Sequence, residues 1–391
     1  MTAGAAADSG GALAVDRALI EAALGDALRR SGKDAGPGGH YDLVADYPSR
    51  GGKRMRPMLC LAACRLHGGS PADALPAAVA LELLHSAFLV HDDIEDGSIR
   101  RRGLPTMHET VGTARAINVG DALSALALVA LAKGGRRWPS EVAGAVTAEF
   151  AHLLLRTTEG QAAELAWIAD GRYNLGDADY LALVRDKTSW YSALHPLRIG
   201  ALIGSRGRAD LDRLNDFGFA LGAVFQIQDD LENLDSASTY GKDAGGDILE
   251  GKPTLPLLHV LRVASPADRA LVLRLTGPRG EGPPATRGTI VRDLMEHYGS
   301  LDHARRSADA LAGLALAEFR RLFGGLPRSE ALEFLFDLVT GLCARTHPPA
   351  NNAGNSAGSR RKDATKPRRQ PADNEAADIP NQQYRLVRFV G

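Results

Sequence analysis

Four segments, Ala77–Glu95, Glu141–Ile168, Tyr180–Ile203 and Leu211–Asn233, carry apolar residues at helical spacing well beyond the length of an average helix, each on a broad face. Such faces are stable only when several helices bury them against one another. Ala and Leu recur throughout while aromatic residues make up 5% of the chain, a balance that favours helix because both residues lose little freedom there. No internal repeat points to a solenoid. The fold expected is all-α, a single large helical bundle.

The chain has 391 residues and is 45% hydrophobic, enough for a substantial core. Residues 1–12 and 346–391 lack an apolar period and are expected to be disordered, which leaves 13–345 as one helical domain. Breaks at Gly36–Gly39, Gly134–Pro139 and Gly277–Pro284 read as loops. The formal net charge of -1 provides no global field for nucleic acid, so any anionic ligand must be held by local clusters. No stretch approaches the ~20 uninterrupted apolar residues of a membrane span, and no basic region precedes an apolar run at the N-terminus. A cytoplasmic protein is expected. Cys60, Cys64 and Cys343 have no zinc-type spacing and read as buried free thiols.

The chemistry concentrates at two helix ends. His91-Asp92-Asp93-Ile94-Glu95-Asp96 closes the apolar run Leu81–Val90, and in a helix Asp92 and Asp96 lie one turn apart with Asp93 beside them. Like charges at that spacing cost roughly 0.2–0.5 kcal/mol per pair, and the helix C-terminus disfavours anions further. A cation should offset this. Asp229-Asp230-Leu231-Glu232-Asn233 repeats the arrangement after Phe217–Ile227. Carboxylate sites without His or Cys suit hard cations, and Mg²⁺ combines a few carboxylates with water and substrate phosphates.

Cations are interleaved with these acids. Arg100-Arg101-Arg102 follows the first cluster, Lys242 and Lys252 follow the second, Lys53, Arg54 and Arg56 come after Gly51-Gly52, and Lys187-Thr188 lies inside a later helix. Arg forks grip phosphate oxygens bidentately and Lys acts as a point charge. Taken singly, each reads as a solvated surface cation. Together with the acids they imply a polyanionic ligand. Neither a Gly-x-x-x-x-Gly-Lys-Ser/Thr loop nor a Gly-x-Gly-x-x-Gly unit is present, so a diphosphate on a hydrophobic tail is the simplest ligand.

These motifs resemble the polyprenyl (isoprenyl) diphosphate synthase family. Gly51-Gly52-Lys53-Arg54-Met55-Arg56-Pro57, the stretch from Glu82 and His85 through Asp92–Asp96 to Arg101-Arg102-Gly103-Leu104-Pro105-Thr106, and Phe225-Gln226-Ile227-Gln228-Asp229-Asp230 with Gly251-Lys252-Pro253-Thr254 carry the likeness, in order, over roughly Arg17–Arg345. The resemblance implies an isoprenoid-synthase type I-like bundle around a central cavity. It also implies a prenyltransferase that joins isopentenyl diphosphate to an allylic diphosphate with Mg²⁺. Asp92, Asp96 and Asp229 would ligate the metal directly, with Asp93 and Asp230 in or near its first shell. Arg101, Lys187, Lys252 and Lys242 would hold the allylic diphosphate. Lys53, Arg56, His85 and Arg102 would hold isopentenyl diphosphate, and the oxygens of Thr188 and Gln226 would face the developing cation.

Asn233 stands where many members have Asp, and Arg100 extends the usual Arg pair to three. Family members are usually homodimers, and the same is expected here. Product length is expected to be set at Ala87 and Phe88, five and four positions before Asp92; in the family this chain resembles, one bulky and one small side chain there imply geranylgeranyl diphosphate. A terpene cyclase of the same fold needs no second diphosphate site, so Lys53, Arg56, His85 and Arg102 argue against it. A non-catalytic partner subunit is disfavoured by the intact acids.

Overall fold

The computed structural model describes residues 12–31, 36–234 and 245–345. The expected disordered ends, except Ala12 at the start of α1, and Lys242 lie outside the described residues. In chain order the helices are α1 (Ala12–Ser31), α2 (His40–Ser49), α3 (Met55–Leu66), α4 (Pro71–Glu95), α5 (Met107–Val111), α6 (Thr113–Gly135), α7 (Ser140–Ala169) and α8 (Asp177–Val184). A π-helical segment, Arg185–Leu194, joins α8 directly to α9 (His195–Ser205). There follow α10 (Asn215–Leu234), α11 (Gly246–Glu250), α12 (Leu255–Val263), α13 (Pro266–Leu275), α14 (Pro284–His297), α15 (Ser300–Phe323) and α16 (Glu330–Arg345). The strands described are β1 (Arg100–Arg101) and β2 (Leu104–Pro105), an antiparallel hairpin just after α4. The all-α bundle expected from the helical periodicity is the observed architecture.

Helix α4 is the axis of this arrangement. Its start is fixed by Ser70, whose hydroxyl accepts from the Ala72 amide at 3.3 Å, and by Pro71 at the first helical position. Leu81, Leu83, Leu84, Ala87 and Val90 are buried among α3, α6 and α7, whose Leu61, Leu123 and Phe150 belong to the same core. A second core joins α9, α10, α15 and α16 around Leu197, Phe217 and Leu311. Close packing of α9 on α3 depends on Gly200 and Gly204, where a Cβ would lie 2.2 Å from the carbonyl oxygens of Cys60 and Cys64 respectively. Cys60 and Cys64 are buried free thiols, as expected.

Pro71–Glu95 and Thr113–Gly135 are both long and apolar enough to cross a membrane by length and composition. In α4 that composition serves burial, because 67% of its most apolar window is inside the protein. Helix α6 is 39% buried over its window and leaves Ile117, Leu128 and Val129 exposed.

Candidate active site

The bundle encloses a cavity of about 590 Å³ between α4, α7, the π segment and α10. This falls inside the ~300–1,000 Å³ typical of small-molecule sites. Both acidic helix ends contribute to its wall. Asp92 on α4 and Asp229 and Asp230 on α10 line the wall. Lys187, Thr188 and Gln226 line it too, and so do Lys53, Arg56, His85, Arg101, Arg102 and Lys252.

The π segment brings Lys187 into this wall. A Cβ at Gly160 on α7 would lie 2.4 Å from the Lys187 backbone nitrogen, and one at Gly222 on α10 would lie 2.6 Å from Ser189 Cα. Two glycines on flanking helices thus let the widened turn press between them. π-Helical turns occur mostly at functional sites, and this segment carries Lys187 and Thr188.

Within the first acidic cluster the carboxylates have different partners. Asp92 accepts from Arg101 Nη2 at 3.2 Å and lines the cavity. Asp93, expected in or near a metal shell, is fully buried instead: Tyr47 donates to its Oδ2 at 2.5 Å and Arg101 Nε to its Oδ1 at 2.8 Å. Adjacent helical residues point about 100° apart, so Asp92 reaches the cavity while Asp93 turns into the core, with Arg101 bonding both. Asp93 therefore fixes Arg101. Asp96, expected as a direct metal ligand, is paired with Lys252 Nζ at 2.5 Å and does not line the cavity. Burial, then the charge of Asp92, pushes the Asp96 carboxyl above the usual carboxylate range. In this arrangement Lys252 supplies the positive charge that the crowded acids need, and it reaches Glu250 at 2.8 Å as well.

The second cluster shows the same crowding. Asp230 accepts from Tyr180 Oη at 2.7 Å and from Gln226 Nε2 at 2.7 Å, and burial followed by Asp247 pushes its carboxyl up to about 7. Thr188 Oγ1 donates to Gln226 Oε1 at 2.8 Å, so the two oxygens expected near a developing cation form one chain with Asp230. Burial works against the ammonium groups of Lys187 and Lys252. The surrounding carboxylates outweigh it and hold both above the ordinary lysine range.

A separate basic group occupies the α3 side. Arg56 Nη2 donates to Ser192 Oγ at 2.7 Å, its guanidinium lies 4.2 Å over the Tyr191 ring, and its buried Nε has no partner. Burial, then Arg56, Arg102 and Arg101, pushes His85 well below the ordinary imidazole range, so it stands there as a neutral ring with Nδ1 unsatisfied. Arg102 donates to the Gly51 carbonyl. Lys53 is exposed at the rim. A buried guanidinium donor left unsatisfied, on a cation that bonds a neutral hydroxyl, suits an anionic ligand. Arg54 is different: it is buried against Glu82 at 2.5 Å and serves the fold.

Phe88 lines the cavity edge-on to Tyr191, with ring centroids 5.5 Å apart at 90°. Ala87, expected to share the pocket floor, is fully buried in the core and does not line the cavity. Residues that sequence reasoning did not single out include Tyr47, Tyr180, Tyr191, Ser192, Glu164 and Glu250. Only Glu164 carried a signal, as an acid on the apolar face of α7 one turn after Gly160.

Among the described residues no three His, Cys, Asp or Glu groups converge into a ready-made metal cage. Asp92 and Asp229 nonetheless offer oxygen donors from two helices, near Asp96 and Asp230, whose carboxyls are pushed up first by burial and then by neighbouring acids. That donor set fits a hard divalent cation whose remaining ligands are water and phosphate oxygens.

Comparison with known proteins agrees with this geometry. The family model described as Polyprenyl synthetase matches residues 40–289. A short chain isoprenyl diphosphate synthase from Methanothermobacter thermautotrophicus is 32% identical over 298 residues, covering 74% of this chain and 86% of that protein. The geranylgeranyl diphosphate synthase of Sulfolobus acidocaldarius is 34% identical over 271 residues, covering 69% and 80%. Among solved structures, geranylgeranyl pyrophosphate synthetase from Pyrococcus horikoshii superposes with a TM-score of 0.73 at 29% identity, covering 85% of this chain and 96% of that one. A polyprenyl synthase from Caulobacter crescentus, complexed with calcium and isoprenyl diphosphate, gives 0.72 at 28% identity, covering 85% and 95%.

Proposed function

The chain belongs to the polyprenyl synthetase family, and from that premise we propose that it is a trans-prenyltransferase joining isopentenyl diphosphate to an allylic diphosphate, with geranylgeranyl diphosphate as product. The observation that carries this reading is the division of one cavity into two anion-binding regions. Acids and lysines face each other across α4 and α10, while Arg56, Arg102, Lys53 and His85 gather on the α3 side. A terpene cyclase has no use for the second region.

Asp92 and Asp229 would hold Mg²⁺, which would neutralise the charge that develops on the departing diphosphate. Lys187, Lys252 and Arg101 add their own positive charge to that leaving group as the allylic C–O bond breaks. The Thr188–Gln226 pair turns oxygen dipoles toward the cavity, where they stabilise the delocalised carbocation. Arg56 and Arg102 hold the second diphosphate so that the isopentenyl double bond forms the new C–C bond at the cationic carbon. The positive charge then lies on the tertiary carbon of the isopentenyl unit, a proton leaves the carbon between it and the diphosphate-bearing carbon to form the new double bond, and the released diphosphate is the base we assign. Phe88 and Leu89 keep water from the cation. The calcium and isoprenyl diphosphate in the Caulobacter crescentus structure support a divalent metal beside a diphosphate in this chain.

If the regions divide as proposed, Arg56→Ala raises the Michaelis constant for isopentenyl diphosphate about tenfold and leaves the allylic constant within twofold, whereas Lys187→Ala does the reverse. Steady-state kinetics with each substrate varied in turn checks this. Equal shifts in both constants would show that the cavity is not so divided.

Product length is assigned to Phe88 alone, since Ala87 is sealed in the core. Phe88→Ala opens several methylenes of space at the end of the cavity, and chromatography of the products should show at least one added five-carbon unit. Ala87→Phe should instead overpack α4, costing about 1–3 kcal/mol. An active Phe88→Ala enzyme with unchanged product lengths would move the floor elsewhere.

A homodimer is part of the proposal. Ile117, Leu128 and Val129 on α6 and Leu155 on α7 are 44–60% exposed, and a second copy covering them would remove this apolar surface from water.

A further inference from the structure

Helix α7 contributes one acid to the cavity wall that belongs to neither aspartate cluster. Glu164 is 6% exposed, and its Oε2 accepts from Lys187 Nζ in a direct ion pair. One turn earlier on the same helix, Gly160 lies so close that a Cβ would meet the Lys187 nitrogen at 2.4 Å and its Cα at 2.7 Å. Residues four apart share a helix face. The single face Gly160–Glu164 thus contacts both ends of Lys187: the glycine seats its backbone, and the carboxylate receives its ammonium.

A lysine side chain has many rotamers, and a cation that must meet a diphosphate in one geometry gains when that freedom is already lost. The backbone of Lys187 sits in a π turn. Without an anchor at its far end, the ammonium could turn toward Asp92 or Asp96, whose charges it also feels. Lysine has three N–H donors, so a hydrogen bond to Glu164 leaves two for phosphate oxygens.

We propose that Glu164 is a positioning residue that aims Lys187 at the allylic diphosphate, acting through the length and direction of its hydrogen bond. The inference rests on the proposed division of the cavity. It predicts that Glu164→Ala raises the allylic Michaelis constant about tenfold with the isopentenyl constant within twofold. Glu164→Gln, which keeps the acceptor and its reach, should stay within threefold of the parent. In a Lys187→Ala background, Glu164→Ala should have no further effect, because the group it acts through is gone.

The test measures both Michaelis constants for the full-length parent, Glu164→Gln, Glu164→Ala, Lys187→Ala and the double variant. The affinity of each for inorganic diphosphate with Mg²⁺ is measured by calorimetry, which needs no turnover. The pattern above supports positioning. Equal shifts in both constants, additive losses in the double variant, or a Gln variant as impaired as the Ala variant would overturn it; the last would mean that charge and not aim is what Glu164 supplies. A chain that forms no prenyl product, yet loses affinity for diphosphate in Glu164→Ala and keeps it in Glu164→Gln, would overturn the proposed activity and leave Glu164 as the residue that aims Lys187.

Discussion

Replacing Asp92 or Asp229 by alanine is expected to lower turnover by ~10²–10³ while the melting temperature changes little. The two acids are separable from the fold for different reasons. Asp92 shares Arg101 with Asp93, and after its removal Arg101 still bonds Asp93 Oδ1 through Nε at 2.8 Å. Asp229 is an exposed residue, so no core contact depends on its carboxylate. Both face the cavity, where the leaving diphosphate must be neutralised. Asp93→Ala makes a useful contrast, because it strands the buried Tyr47 hydroxyl and loosens Arg101. Its loss of activity should come with a lower melting temperature. The measurement is turnover at saturating Mg²⁺ alongside thermal unfolding of each variant. Near-normal turnover of Asp92→Ala or Asp229→Ala under those conditions would sink the metal assignment.

The contrast between Asp92 and Asp93 also marks how far the sequence can be read. Acids one turn apart at the end of an apolar helix are a local signal, and the clusters and the cations near them are legible for that reason. Which of two adjacent acids faces the cavity is not a local matter. It is decided by Tyr47, 46 positions away from Asp93, and by the Arg101 fork. The same limit applies to Ala87 and Phe88. Sequence pattern marks both as apolar, and only the packing of α4 assigns one to the core and the other to the cavity. The π turn at Lys187 has no signature of its own within Arg185–Leu194; it needs Gly160 and Gly222 from two other helices. The long helices, by contrast, are visible from periodicity because each buries a continuous apolar face. Asp121 interrupts α6 and Glu82 interrupts α4, so neither holds an unbroken apolar run, although the mean hydropathy of each stays high.

Glu82→Ala is expected to be the most destabilising of the single changes considered, at about 3 kcal/mol, because it breaks a buried ion pair from one side. Arg54 and Glu82 have side chains only 2% and 3% exposed and meet at 2.5 Å. Arg54 also bonds the half-exposed Glu21 at 2.8 Å and the Pro48 carbonyl at 2.7 Å. These remaining partners keep the cost toward the lower end of the ~3–5 kcal/mol usual when one member of a buried pair is removed. The pair has further work to do, for Arg54 sits at a φ of 50°, in the left-handed region that a non-glycine side chain adopts only when its surroundings over-determine it. Glu82, Glu21 and Pro48 supply that constraint. They thereby fix the turn that carries Lys53 and Arg56 to the cavity wall. At roughly 2 °C per kcal/mol for a chain of this size, the apparent melting temperature should fall by roughly 6 °C. Removing both partners in Arg54→Ala/Glu82→Ala should cost less than the two single changes added together, since no buried charge is then left alone. Thermal unfolding of the four proteins checks both statements. An unchanged melting temperature for Glu82→Ala, or strict additivity in the double variant, would mean that Arg54 takes its counter-charge from Glu21 and that Glu82 does not hold the turn.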